Sequence, residues 1–152
     1  MTTYNNSTNT SIPSGVSAGS YTNANITVNA AGQVTAASSG SSGNVVNQTT
    51  ASVTMAAGTT YINNYTGGVT AYTLPATAVV GDEFIIVGGL AGTSGWQVNE
   101  ASGQTIHLGS ATCTTTSGTL TSSNQFDAVT IRCVTANTTF TAIANQGNIA
   151  YA

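Results

Sequence analysis

A chain of 152 residues with one basic side chain (Arg132), four acidic ones (Asp82, Glu83, Glu100 and Asp127) and a net charge of −3 has no cluster of cations, which excludes nucleic acid and anionic membrane surfaces as partners. Charged residues make up 3% of the chain against roughly 25% in ordinary globular proteins, yet 40% apolar content and frequent β-branched residues separate it from disordered sequences. Thr, Asn, Ser, Gly and Ala are abundant and helix formers scarce, so the expected fold class is all-β.

Residues 1–50 form a low-complexity extension punctuated by "PSGVSAGS" and "ASSGSSGN". The opening "MTTYNNSTNTSIPSG" lacks the positive start and apolar stretch of a secretory signal. Its sizeable apolar side chains are Tyr4, Ile12, Val16, Tyr21, Ile26, Val28, Val34, Val45 and Val46. Ile26 and Val28 alternate with Asn25, Thr27 and Asn29, the period of a half-buried strand. In "NAAGQ", Asn29 suits the first position of a type I turn, and Gly32 supplies the positive φ that closes such a hairpin with a bulge. Val34 and Ala36 then begin a returning strand. An isolated hairpin is at best marginal in water, and this one has too few apolar side chains to offset an ordering cost of about 1–2 kcal/mol per residue. Ile26, Val28, Gly32 and Val34 are therefore the expected assembly residues, packed against other copies of the chain.

Residues 51–152 are denser. The runs "ASVTM", "TTYINNY", "VTAYTL", "DEFIIVGG", "GWQVN", "QTIHLG", "ATCTTT", "GTLTS", "DAVTIRCVT", "TTFTAIAN" and "NIAYA" lie between Gly, Pro, Asn and Ser turn signals. This pattern predicts an antiparallel, jelly-roll-like β-sandwich with Phe84, Ile86, Val98, Ile106, Val129, Ile131, Phe140 and Ile143 as core. Pro75 cannot donate to a ladder and is expected to end a strand or lie on an edge. The longest mainly apolar run, "FIIVGGLAG", falls far short of the ~20 residues that span a bilayer, so no membrane insertion is expected.

Along these two segments runs a resemblance. "SAGSYTNANITVNAAGQVTAASSG", from Ser17 to Gly40, resembles a repeat of bacteriophage tail fibres and related prophage proteins. "YTLPATAVVGDEFIIVG", "GWQVNEASGQTIHLG", "LTSSNQFDAVTIRCV" and "NQGNIAY" are similar to a domain at the ends of such fibres. The resemblance implies trimeric, extracellular or virion-surface, β-rich fibres whose distal parts contact a host surface. Three hairpins around one axis would then share a core that none builds alone. Against the family pattern, a long shaft and a virion-attachment module are missing from this sequence.

Chemically active residues are sparse. His107 stands alone on the polar parity of "QTIHLG", with no second His and no Cys-x-x-Cys pair at metal-ligand spacing. No G-x-S-x-G elbow is present, and four carboxylates make a glycosidase pair with Glu100 or Asp127 a weak proposition. No enzyme activity, metal or cofactor is expected. Asp127 and Arg132, five residues apart, fall on opposite faces of one strand; Arg132 either reaches Asp127, Glu100 or Glu83 on a neighbouring strand or chain, or lies exposed. Cys113 and Cys133 are either a disulfide or two buried thiols, the latter favoured. Trp96, with Tyr61, Tyr65 and Tyr72, is either a stacking platform for a cell-surface polysaccharide or part of the core, and the core role is favoured for Trp96. Two functions remain: a non-enzymatic adhesin-like fibre tip that binds a glycan, or a structural filament polymerised by strand donation from the extension.

Overall fold

A computed structural model describes residues 16–17, 19–30, 32–39, 43–114 and 117–152, and the chain divides into two compact units, 1–42 and 43–152. Tyr4 and Ile12 lie outside the described residues. The regular elements among the described residues are all strands, and no helix is long and apolar enough to cross a membrane.

In the first unit, β1 (Asn25–Val28) pairs antiparallel with β2 (Val34–Ser38). The turn closes through a Gly32 N–H to Asn29 carbonyl bond of 2.9 Å, with Gly32 at φ +77°. The Asn29 side chain accepts the Gln33 N–H at 3.0 Å, fixing the turn a second time. A register shift at Val28 sets Val28 beside Val34 and Ile26 beside Ala37, so these four residues share one face.

The second unit is a two-sheet β-sandwich. Its strands are β3 (Asn44–Gln48), β4 (Ser52–Thr54), β5 (Thr59–Asn63), β6 (Thr70–Thr73), β7 (Glu83–Gly88), β8 (Trp96–Asn99), β9 (Thr105–Leu108), β10 (Ala111–Thr112), β11 (Thr119–Ser122), β12 (Ala128–Thr135), β13 (Thr139–Gln146) and β14 (Ile149–Tyr151). One sheet has the order β10-β9-β13-β12-β7-β5-β3 and the other β14-β11-β8-β6-β4. The chain winds: β3, β5 and β7 lie in the first sheet and alternate with β4, β6 and β8 in the second. Each strand therefore returns to its own sheet running the same way, with Asn44 beside Thr59 and Thr59 beside Phe84. β11 and β12 then run antiparallel to β8 and β7, and β14 and β13 antiparallel to β11 and β12. The pairing is thus mixed, parallel in β3-β5-β7, β4-β6-β8 and β9-β13, where the turn signals alone suggested an antiparallel, jelly-roll-like sandwich.

Two further differences have simple causes. β3 belongs to the sandwich, so this unit begins at Gly43 rather than at Ala51. Ile143 is exposed because the β12–β13 register skips it: Thr130 pairs with Ala144 and Ile131 with Ala142. The other expected core residues are buried between the sheets, where Phe84 and Phe140 meet edge to face at 6.0 Å. Pro75 follows β6, after Leu74 has made the last bond of that strand to Asn99.

Candidate functional site

Among the described residues of the first unit, nothing covers the apolar face of the hairpin. In the single chain Ile26 and Val28 are each 58% exposed and Val34 36%, while the opposite face carries Asn25, Thr27 and Ser38. No charge interrupts either face. Gly32 holds the turn through its positive φ, with open space where a side chain would stand.

In the sandwich, the loops 49–51, 64–69, 89–95, 123–127 and 147–148 gather at the end opposite to where β3, β5 and β7 begin. Amides knit this far end together. Asn64 donates to Asn47 Oδ1 at 2.7 Å and accepts the Ala91 N–H at 3.1 Å, Asn63 donates to the Gly95 carbonyl at 3.0 Å, and Gln125 donates to the Leu90 carbonyl. Glycine is required at two close approaches: a Cβ on Gly95 would stand 2.0 Å from the Ser122 carbonyl oxygen, and one on Gly147 1.7 Å from the side-chain Oδ1 of Asp127. Leu90 and Phe126 project from this end into solvent, Phe126 from a left-handed backbone at φ +67°.

Behind the loops, Asp127 is buried and accepts the Ser122 hydroxyl at 2.7 Å, while its carbonyl accepts the Trp96 indole N–H at 3.1 Å. Beside them a cleft of about 470 Å³ opens, lined by Thr121, Ser123, Asn145, Asn148, Ile149 and Ala150 around Gly147. A second groove of about 260 Å³ crosses the outer face of the seven-stranded sheet over Ile85, Val87, Ala128 and Ala144.

The chain matches no protein-family model and no curated protein.

The residues singled out in the sequence separate sharply in space. Trp96, Tyr61 and Tyr72 are 0–3% exposed and form the core, so their ring faces are closed to a sugar. They sit on strand positions whose neighbours of like parity, such as Val98 and Ile86, also point inward. The Tyr72 hydroxyl donates to Asn63 Oδ1 at 3.3 Å and its ring meets Tyr61 edge to face at 5.5 Å. Burial, then the neighbouring Tyr61, holds the Tyr72 hydroxyl protonated far above the usual phenol range. Tyr65 alone of the four is partly open, its hydroxyl packed over Gly67.

Cys113 and Cys133 are both free and buried; their thiols lie 3.4 Å from the Thr119 carbonyl oxygen and 3.3 Å from that of Thr135. Burial and the nearby Glu100 raise the Cys113 thiol, which disfavours the reactive thiolate. Asp127 and Arg132 do not pair. Asp127 points inward to Ser122, whereas Arg132 points outward to Glu83, its neighbour on β7, with Nε 3.1 Å from Oε1. Glu100 is buried as a backbone acceptor, taking the Ile106 N–H at 2.7 Å and the Gly118 N–H at 3.1 Å. Among the described residues the His107 ring is hydrogen-bonded to Thr112 Oγ1, at 3.0 Å, and no group of metal-ligating side chains gathers there. The exposed Leu90 and Phe126 and the cleft beside Gly147 were not singled out in the sequence. The Gly-rich run "GGLAGTSG" between two apolar strands was the available signal for a built loop.

Proposed function

We propose that the protein is a non-enzymatic, self-assembling fibre protein, a tail-fibre-like tip that attaches to a cell-surface glycan outside a cell or on a virion. The observation that carries this reading is the bare apolar face of the hairpin, Ile26, Val28 and Val34, on an element that has no core of its own. Three or more copies bring such faces together and bury them, at roughly 25 cal/mol for each Å² removed from water. The near absence of charge favours the same outcome, because charged side chains are depleted in interface cores. The trimeric state and the extracellular or virion location follow the tail-fibre resemblance of Ser17–Gly40. Catalysis is left out of the reading because His107, Glu100 and Asp127 are each engaged at separate places in the fold.

The open edge of the sandwich supports a second reading. β3 and β4 are the edge strands of their sheets, and neither carries a charge or a proline to discourage another strand. A strand donated by the next copy would extend one of these sheets and link the copies into a filament. Electron microscopy of the purified protein separates the two: closed particles of uniform size support the trimeric tip, and open-ended fibres support strand donation. Deleting residues 1–42 should abolish either assembly; particles or fibres that persist without the hairpin would contradict both readings.

A further inference from the structure

The cleft beside Gly147 differs from the rest of the far end in what its side chains are doing. Asn47, Asn63 and Asn64 spend their amides on the protein itself. The hydroxyls of Thr121 and Ser123 and the amides of Asn145 and Asn148 bond to nothing else among the described residues. All four line one space, Thr121 and Ser123 from β11 and the loop after it, Asn145 from β13 in the opposite sheet, and Asn148 from the turn into β14.

We propose that this cleft binds a neutral pyranose unit of a glycan, a hexose or an N-acetylhexosamine. The inference rests on the glycan-attachment reading above and gives it a site. Each amide offers an acceptor and two donors in one plane, and each hydroxyl can donate and accept, a set that matches the neighbouring hydroxyls of a sugar ring. Ala150, opposite Thr121, supplies an exposed aliphatic patch for the C–H face of the ring, while Ile149 beside it leans on the core. A volume of about 470 Å³ lies within the range of ligand pockets and holds one ring with part of a second. The charge is also right for a neutral ligand: no cation lines the cleft, and the carboxylate behind its wall, Asp127, disfavours acidic sugars.

Gly147, at φ +89°, lies close against the carboxylate of Asp127, which accepts the Ser122 hydroxyl at the end of β11, so only glycine fits the turn that leads into Asn148. Four neutral hydrogen-bonding groups and one aliphatic patch place the single-site dissociation constant on the order of a millimolar. Multiple copies in one assembly would raise the avidity on a surface of repeated sugars.

The test applies the full chain to arrayed glycans ending in glucose, galactose, mannose or N-acetylglucosamine, with sialic acid and glucuronate termini as comparators. We expect retention on at least one neutral class and weak or no retention on the acidic ones. Asn145→Ala with Asn148→Ala should weaken retention by about tenfold or more while the thermal midpoint stays put. Asn148→Asp, a change of one group at an exposed turn, should weaken it as well and provides the readout if the double variant folds poorly. Binding to no neutral glycan, preference for acidic termini, or undiminished binding by the folded variants would overturn the proposal. Light scattering on the same samples separates the two claims. An assembly that binds no neutral sugar sinks only the site, and a single chain that binds sugar through Asn145 and Asn148 sinks only the assembly.

Discussion

Asn63 shows how a chain with almost no charge builds a specific interior. It is fully buried, accepts the Thr70 hydroxyl at 2.6 Å and the Tyr72 hydroxyl at 3.3 Å, and donates to the Gly95 carbonyl. The network satisfies every group it buries, at a site where one unpaired polar atom costs about 1–3 kcal/mol. Tyr72 gives this interior a measurable signature. Its folded-state value is raised above the ordinary 10.0, so the folded chain keeps a proton that the unfolded chain loses. Its contribution to stability is therefore complete below 10.0 and is lost as the pH climbs from there through the folded-state value. The urea midpoint of the sandwich should fall as the pH rises above about 10, and Tyr72→Phe should flatten that fall. An unchanged slope in the variant would show that Tyr72 is not the titrating group. At this scale the period of two was readable: Phe84 with Ile86, and Val129 with Ile131 and Cys133, face inward as alternation requires. The exposed Ile143 was not, because a bulge shifts parity without leaving a mark in the residues themselves.

Strand existence was legible, and strand pairing was not. The β-branched and aromatic runs between turn residues lie where β4 to β14 form. Whether neighbouring runs pair with each other or cross to the opposite sheet depends on contacts distant in sequence, so the winding of β3 to β8 leaves no local trace. β3 was hidden for a different reason. "NVVNQ" follows a Gly/Ser run and has only two apolar residues, yet Val46 packs on the core, Gln48 is buried, and five residues pair with β5. A sandwich that starts at residue 51 should therefore melt below one that starts at 43, with a loss of about 2 kcal/mol or more in chemical denaturation. Equal stability of the two truncations would contradict the place given to β3.

For the whole molecule, composition sets the behaviour. Four acids and one arginine leave no steering field, and the arginine is paired with Glu83, so the proposed assembly would rest on apolar area and uncharged hydrogen bonds. The sandwich carries a core of its own, whereas the hairpin presents its apolar face bare. The hairpin's apolar face was readable from "NITV" and "GQV", since a period of two sets Ile26 and Val28 on one side of the strand. The candidate sugar cleft was not readable, because it brings together residues of β11, β13 and β14 that alternation and turn signals cannot place side by side. The most direct test of the account is the mass of the full chain in dilute solution by sedimentation equilibrium, measured beside Ile26→Asn with Val28→Asn. The account predicts a multiple of the single-chain mass for the natural sequence and the mass of one chain for the double variant, with the sandwich melting transition unchanged. A natural sequence that sediments as one compact chain would contradict it.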